Sequence, residues 1–168
     1  MARPIFAQIN LAALAANVAL ARSRAAGAQL LAVVKADAYG HGLLRVLPAL
    51  DEADGLALLE LDMAVALREH HYTRRILLIE GFFDVRELPE IAQRRMAIVV
   101  HHEDQVRMLE GETLARPLEV FVKVKRKMVA GKLELSTSSG VNGENASKVI
   151  ATGQLGSRYC TTPIGYSP

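Results

Sequence analysis

The residues with the most chemistry in them stand together, in Val33-Val34-Lys35-Ala36-Asp37-Ala38-Tyr39-Gly40-His41-Gly42. A lysine amine attacks carbonyl carbon once it has lost its proton, and desolvation or a neighbouring cation lowers its pKa toward that state. Tyr39, four residues on, supplies a phenol able to reach a phosphate or a ring. Gly40 and Gly42 let the backbone turn sharply and come close to a ligand. A lysine at the end of a strand is, by itself, most often a solvated cap. The reactive reading rests on the whole string.

Several elements must position that string. Gln29-Leu30-Leu31-Ala32-Val33-Val34 is an apolar run that ends abruptly on Lys35, which suits a parallel strand buried on both faces. The lysine then stands at the carboxyl end of a strand, where α/β folds place their chemistry. Leu43, Leu44, Val46, Leu47 and Leu50 recur with helical spacing, so the unit reads strand, lysine, glycine-rich turn, helix. Upstream, Pro4–Ile9 reads as a short strand. Asn10 reads as an N-cap, with Leu11, Leu14, Val18 and Ala21 on one helical face and Gly27 closing the helix.

Downstream, Asp54-Gly55 reads as a turn before a strand over Leu56–Leu59. A helix is expected over about 60–70 and a strand over Arg75–Glu80, stopped by Gly81, with Phe82 and Phe83 in the loop that comes next. Pro89 belongs in the first turn of the next helix. A strand over Met96–Val100, a helix over Glu103–Glu110 and a fifth strand over Leu118–Val124 complete the alternation. Alternating strands and helices predict βα units around a parallel sheet. No GxGxxG follows the first strand, which weakens a dinucleotide fold. A lysine at the top of strand one favours a (β/α)8 barrel.

The string around Lys35 closely resembles the pyridoxal phosphate attachment signature of alanine racemases. The likeness extends with decreasing strength to about Val124 and includes Leu78-Ile79-Glu80-Gly81-Phe82-Phe83. It implies that Lys35 holds pyridoxal 5'-phosphate and is the base for the α-proton of the D-enantiomer. It implies that Tyr39 helps hold the cofactor phosphate. It also implies interconversion of L- and D-alanine for peptidoglycan, a barrel followed by a C-terminal β-domain, and a homodimer in the full-length family. Two other functions compete: a broad-specificity amino-acid racemase, and a non-catalytic pyridoxal phosphate-binding barrel protein. The Asp37–Gly42 continuation argues against the second.

The match breaks after Val124. Lys123 matches a lysine that some family members carry in carbamylated form, and Met128 keeps register with the motif methionine of the substrate-binding stretch. Lys125 stands where the family has Asp or Asn, and Ala130 stands where it has the arginine that grips the substrate carboxylate. Residues 125–168 are rich in Gly, Ser, Thr and Asn without a sustained period. The reading is therefore an incomplete barrel of about five βα units over 1–124 followed by an unassigned tail, inactive as a racemase by itself.

Bulk properties exclude other classes. The 168-residue chain is 51% hydrophobic and 23% charged, which is globular rather than disordered. A net charge of +2, scattered basic residues and no Trp give no footprint for nucleic acid. No apolar segment reaches a membrane span or the core of an export signal, and Cys160 is the single cysteine. A reducing, cytoplasmic setting is expected. The adjacent pairs His70-His71 and His101-His102 point in different directions in any regular element, so metal binding is not expected.

Overall fold

The computed structural model describes residues 5–123, together with the backbone of short strands at 126–129, 132–135, 153–155 and 158–160. The chain forms two compact units, Met1–Arg75 and Ile76–Pro168. Strand order follows chain order, β1-β2-β3-β4-β5, in a five-stranded sheet. Each of the first four strands is followed by helix, which is the alternation expected of a partial (β/α)8 barrel.

In the first unit, helix α1 (Leu11–Arg24) begins where Asn10 Oδ1 accepts the Ala13 N–H at 3.0 Å. It ends at Ala25, and the chain turns through Ala26 (φ 48°) and Gly27 (φ 83°). Only Val18 of its apolar face is buried, and Leu11 keeps 36% of its surface. The strand expected over Pro4–Ile9 does not form over residues 5–9. Ile5 and Phe6 are exposed there. Strand backbone needs a ladder for its N–H and C=O groups, and among the described residues this segment has none.

Strand β1 (Leu31–Val33) pairs in parallel with β2 (Gly55–Leu58), with Leu31 opposite Gly55 and Val33 opposite Ala57. β2 is buried throughout, as expected. β1 is not: Val33 keeps 46% of its surface. The reason is its place at the end of the strand order. Gly55 is not a turn residue but the first residue of β2. A Cβ there would lie 2.4 Å from Arg75 O and 2.8 Å from Leu31 Cδ2, so a close approach requires the glycine. Arg22 Nη2 pairs with Asp54 at 2.7 Å, and Asp54 Oδ2 accepts the Leu30 N–H at 2.6 Å. Helices α2 (Lys35–Tyr39) and α3 (Leu43–Val46) follow β1, and α4 (Leu61–Glu69) follows β2. Ala64 and Leu67 supply α4's buried side.

The second unit carries β3 (Arg75–Leu78), which starts on the last residue of the first, then α5 (Leu88–Gln93) and β4 (Ala97–Val100). Helix α6 (Glu103–Glu110) and β5 (Glu119–Val122) complete it. β3 pairs with β4 and β4 with β5, both in parallel; Ala97 faces Leu77 on one side and Glu119 on the other. Pro89 sits in the first turn of α5, where its missing N–H costs nothing. The two phenylalanines expected together in the loop part company. Phe82 is 1% exposed in the core with Leu88, Ile91, Met96 and Ile98, whereas Phe83 is 74% exposed. Beyond residue 124 the backbone forms two antiparallel pairs, β6 (Arg126–Val129) with β7 (Lys132–Leu135) and β8 (Gly153–Leu155) with β9 (Arg158–Cys160).

Candidate active site

Val34 carries the β1 ladder one step past the strand, its N–H donating to Ala57 O at 2.8 Å. Lys35 comes next, half-buried, at the strand's carboxyl end as the sequence predicts. The backbone after Lys35 is not a simple glycine turn. Ala36 (φ 52°, ψ 53°), Asp37 (51°, 50°) and Ala38 (55°, 48°) are left-handed, and Tyr39 has φ 56°. Four consecutive non-glycine residues thus form one turn of left-handed helix, before Gly40 (φ 81°) and Gly42 (φ 84°). Each such residue costs about 1–2 kcal/mol through the close approach of Cβ to carbonyl oxygen.

The surroundings hold this strained turn. Ala38 N–H donates to Val34 O at 3.0 Å, Gly40 N–H to Ala36 O at 2.9 Å and Gly42 N–H to Asp37 O at 3.0 Å. Asp37 Oδ1 accepts the Leu43 N–H at 2.7 Å and so ties the turn to the start of α3. Glu60 Oε1, from the loop after β2, accepts the Ala36 N–H at 3.3 Å. Ala38, Leu43 and Val46 are buried and anchor the turn to the core. Residue choice helps: alanine has the smallest Cβ substituent, and aspartate tolerates the left-handed region better than most residues. Backbone strain persists where surrounding structure over-determines it, and it clusters at functional sites.

The turn presents two groups. Among the described residues no ion pair engages the Lys35 amine. Tyr39 is 58% exposed. The pair suits a ligand with a carbonyl at one end and an anionic oxygen at the other. His41 is an exposed loop residue whose carbonyl accepts from Arg45. Lys123 is exposed at the end of β5, its N–H donating to Val100 O at 2.9 Å. Lys125, Ala130 and the Met128 side chain lie outside the described residues.

His102 caps α6 through the Asp104 N–H at 3.2 Å, and His70 Nδ1 lies 2.9 Å from Ala66 O. Among the described residues no cluster of three His, Cys, Asp or Glu is arranged for a metal. Among the same residues no helix is long and apolar enough to cross a membrane.

Two polar residues of structural weight escape sequence reasoning. Glu60 reads from the sequence only as a helix start. Gln105 is buried in the second unit, where its Nε2 donates to Glu80 O at 3.0 Å and Phe82 O at 3.2 Å, and its Oε1 accepts the His101 N–H at 2.9 Å. Its only sequence signal is its place on α6, three residues past the cap.

Parallel βα units and a lysine leading out of the first strand define the class, a barrel-type α/β protein with an amine at the carboxyl end of a strand. Comparison with known proteins makes it specific. The model of the alanine racemase N-terminal domain matches residues 9–152. The alanine racemase of Nitrosospira multiformis is 53% identical over 128 residues, which is 76% of this chain and 36% of that protein. That of Nitrosomonas europaea is 47% identical over 128 residues, 76% of this chain and 35% of its own. The biosynthetic alanine racemase from Pseudomonas aeruginosa superposes with a TM-score of 0.73 at 33% identity, over 84% of this chain and 41% of its own. The chain belongs to the alanine racemase family. It spans a little over a third of the curated relatives it matches, 36% of the Nitrosospira protein.

Proposed function

We propose that this chain carries the lysine side of an alanine racemase site, with pyridoxal phosphate as cofactor and alanine as substrate. Lys35 would hold the cofactor and serve as the base for the α-proton of D-alanine. One observation carries the reading: the half-buried lysine stands just past the carboxyl end of β1 and opens a strained left-handed turn that closes on exposed Tyr39. The donor set fits the group, with a primary amine for the aldehyde and a phenol to donate to a phosphate oxygen.

When bound, the cofactor supplies an electron sink for the α-carbanion. The chain's own residues bind and orient it and move one proton. Lys35 would hold the cofactor by its amine, at the aldehyde carbon. A neutral Lys35 amine takes a proton from Cα on one face, and racemisation is balanced when a proton returns on the other. Met128 belongs to the substrate side by its register in the motif. The carboxylate grip is a different matter, because Ala130 replaces the family arginine and Lys125 the Asp or Asn. A positioned acid or base contributes about 10²–10⁴-fold. Loss of substrate positioning as well leaves the chain able to capture cofactor but not to turn over. We treat 1–124 as the racemase-like segment and 125–168 as a separate one on the change of composition, with the family match running into the latter as far as residue 152. The single cysteine supports a reducing, cytoplasmic setting.

The test is to incubate the full chain with pyridoxal phosphate, trap with borohydride and locate the added mass. It should fall on the Lys35 peptide and vanish in Lys35→Ala. No Lys35-dependent capture overturns the cofactor assignment. A chiral assay should find no alanine exchange above free cofactor, and robust Lys35-dependent exchange would overturn the claim of inactivity.

A further inference from the structure

Glu60 occupies the N-cap of α4, yet its carboxylate makes no capping bond to that helix. A side-chain oxygen at this position ordinarily accepts from the amides of its own first turn. Here Oε2 accepts the Leu59 N–H and Oε1 the Ala36 N–H, each at 3.3 Å. Ala36 lies 24 residues earlier in the chain, and its N–H belongs to the peptide that leaves Lys35. The carboxylate has been turned away from its own helix and toward the lysine.

The left-handed turn needs such a partner. Like any helical turn, it leaves its first N–H groups without acceptors of its own. Its internal bonds serve Ala38, Gly40 and Gly42, and Asp37 ties its far end to Leu43. The near end, where an ordinary residue must be held at φ 52°, has the Glu60 oxygen. The orientation of the Lys35–Ala36 peptide also sets the direction in which the lysine side chain departs.

We propose, resting on the reading of Lys35 given above, that Glu60 is a positioning residue for Lys35. By accepting the Ala36 N–H it holds the peptide after the lysine in left-handed register and fixes where the amine meets the cofactor aldehyde. Glu60→Ala removes the acceptor, while Glu60→Gln keeps a side-chain oxygen in nearly the same place.

Two readouts on the full chain decide the matter. The first is hydrogen exchange at the Ala36 amide without cofactor. The second is the rate of borohydride-trapped capture of pyridoxal phosphate on Lys35. Glu60→Ala should lose Ala36 protection and slow capture about five- to tenfold, the scale of one ordinary net hydrogen bond. Glu60→Gln should restore both. Capture at the parental rate in Glu60→Ala overturns the proposal. So does Glu60→Gln matching Glu60→Ala, because the charge rather than the acceptor would then be responsible. If the parent chain captures no cofactor, the functional reading fails. Ala36 exchange still decides for Glu60: lost protection in Glu60→Ala supports the grip, and unchanged protection overturns it.

Discussion

Ala36 and Ala38 share one backbone conformation, with φ of 52° and 55°, but their methyl groups meet different surroundings. Ala36 is exposed, and Ala38 is 5% exposed against the core. Glycine at either site relieves the left-handed clash, about 1–2 kcal/mol, and adds unfolded-state freedom that costs about 0.4–1 kcal/mol. Ala36→Gly should therefore stabilise by about 0.5–1 kcal/mol. Ala38→Gly also forfeits a buried methyl, about 0.8 kcal/mol, and should be neutral or slightly destabilising. The two variants should differ by about 1 kcal/mol, or about 2–4 °C in Tm for a chain of this size. Circular dichroism melts, with urea midpoints as a second measure, read the difference. An Ala36→Gly melt below the parent, or an Ala38→Gly melt at or above Ala36→Gly, would show that the turn is not strained in the way described.

Gly81→Ala should cost at least about 2 kcal/mol, because the residue sits at φ 75° and a new Cβ would lie 2.3 Å from Val99 O and 2.9 Å from Gln105 Nε2. A urea midpoint unchanged from the parent would contradict that crowding. Gln105→Ala leaves the Glu80 and Phe82 carbonyls and the His101 N–H without their partner, a loss of about 2–3 kcal/mol by denaturant titration. Asp54 is held below the usual carboxylate range, first by the Leu30 N–H and then by Arg22. A depressed folded-state pKa gives stability that is complete above the unfolded value, about 3.9, and lost as pH falls through the folded one. The parent Tm should thus fall more steeply than that of Asp54→Asn below about pH 4, and parallel acid limbs would refute the linkage.

Much of the fold was legible because its signals are local. Short apolar runs such as Leu56-Ala57-Leu58 and Ile98-Val99-Val100 can only be buried on both faces, and they are. Asn10 and Pro89 mark helix starts because each makes a particular backbone geometry cheap, and the observed helices begin beside them. The chemical string around Lys35 was legible as a string of residue types, and the lysine lies at the strand end where the pattern put it. The failures were not local. Pro4–Ile9 had strand-forming residues but no described ladder partner, and Asp54-Gly55 had the residues of a turn, although Arg75 and Leu31 close on the glycine within a strand. The left-handed turn was the deepest omission. Nothing in Ala-Asp-Ala-Tyr announces positive φ, since each residue alone prefers the right-handed region. The Leu43 amide six residues on, the Glu60 carboxylate 24 residues on and the burial of Ala38 against the core tip the balance. The residue types determined that an amine and a phenol stand four positions apart after a strand. Tertiary contacts decided the hand of the backbone between them, because about 1–2 kcal/mol per strained residue must be recovered from partners outside the turn.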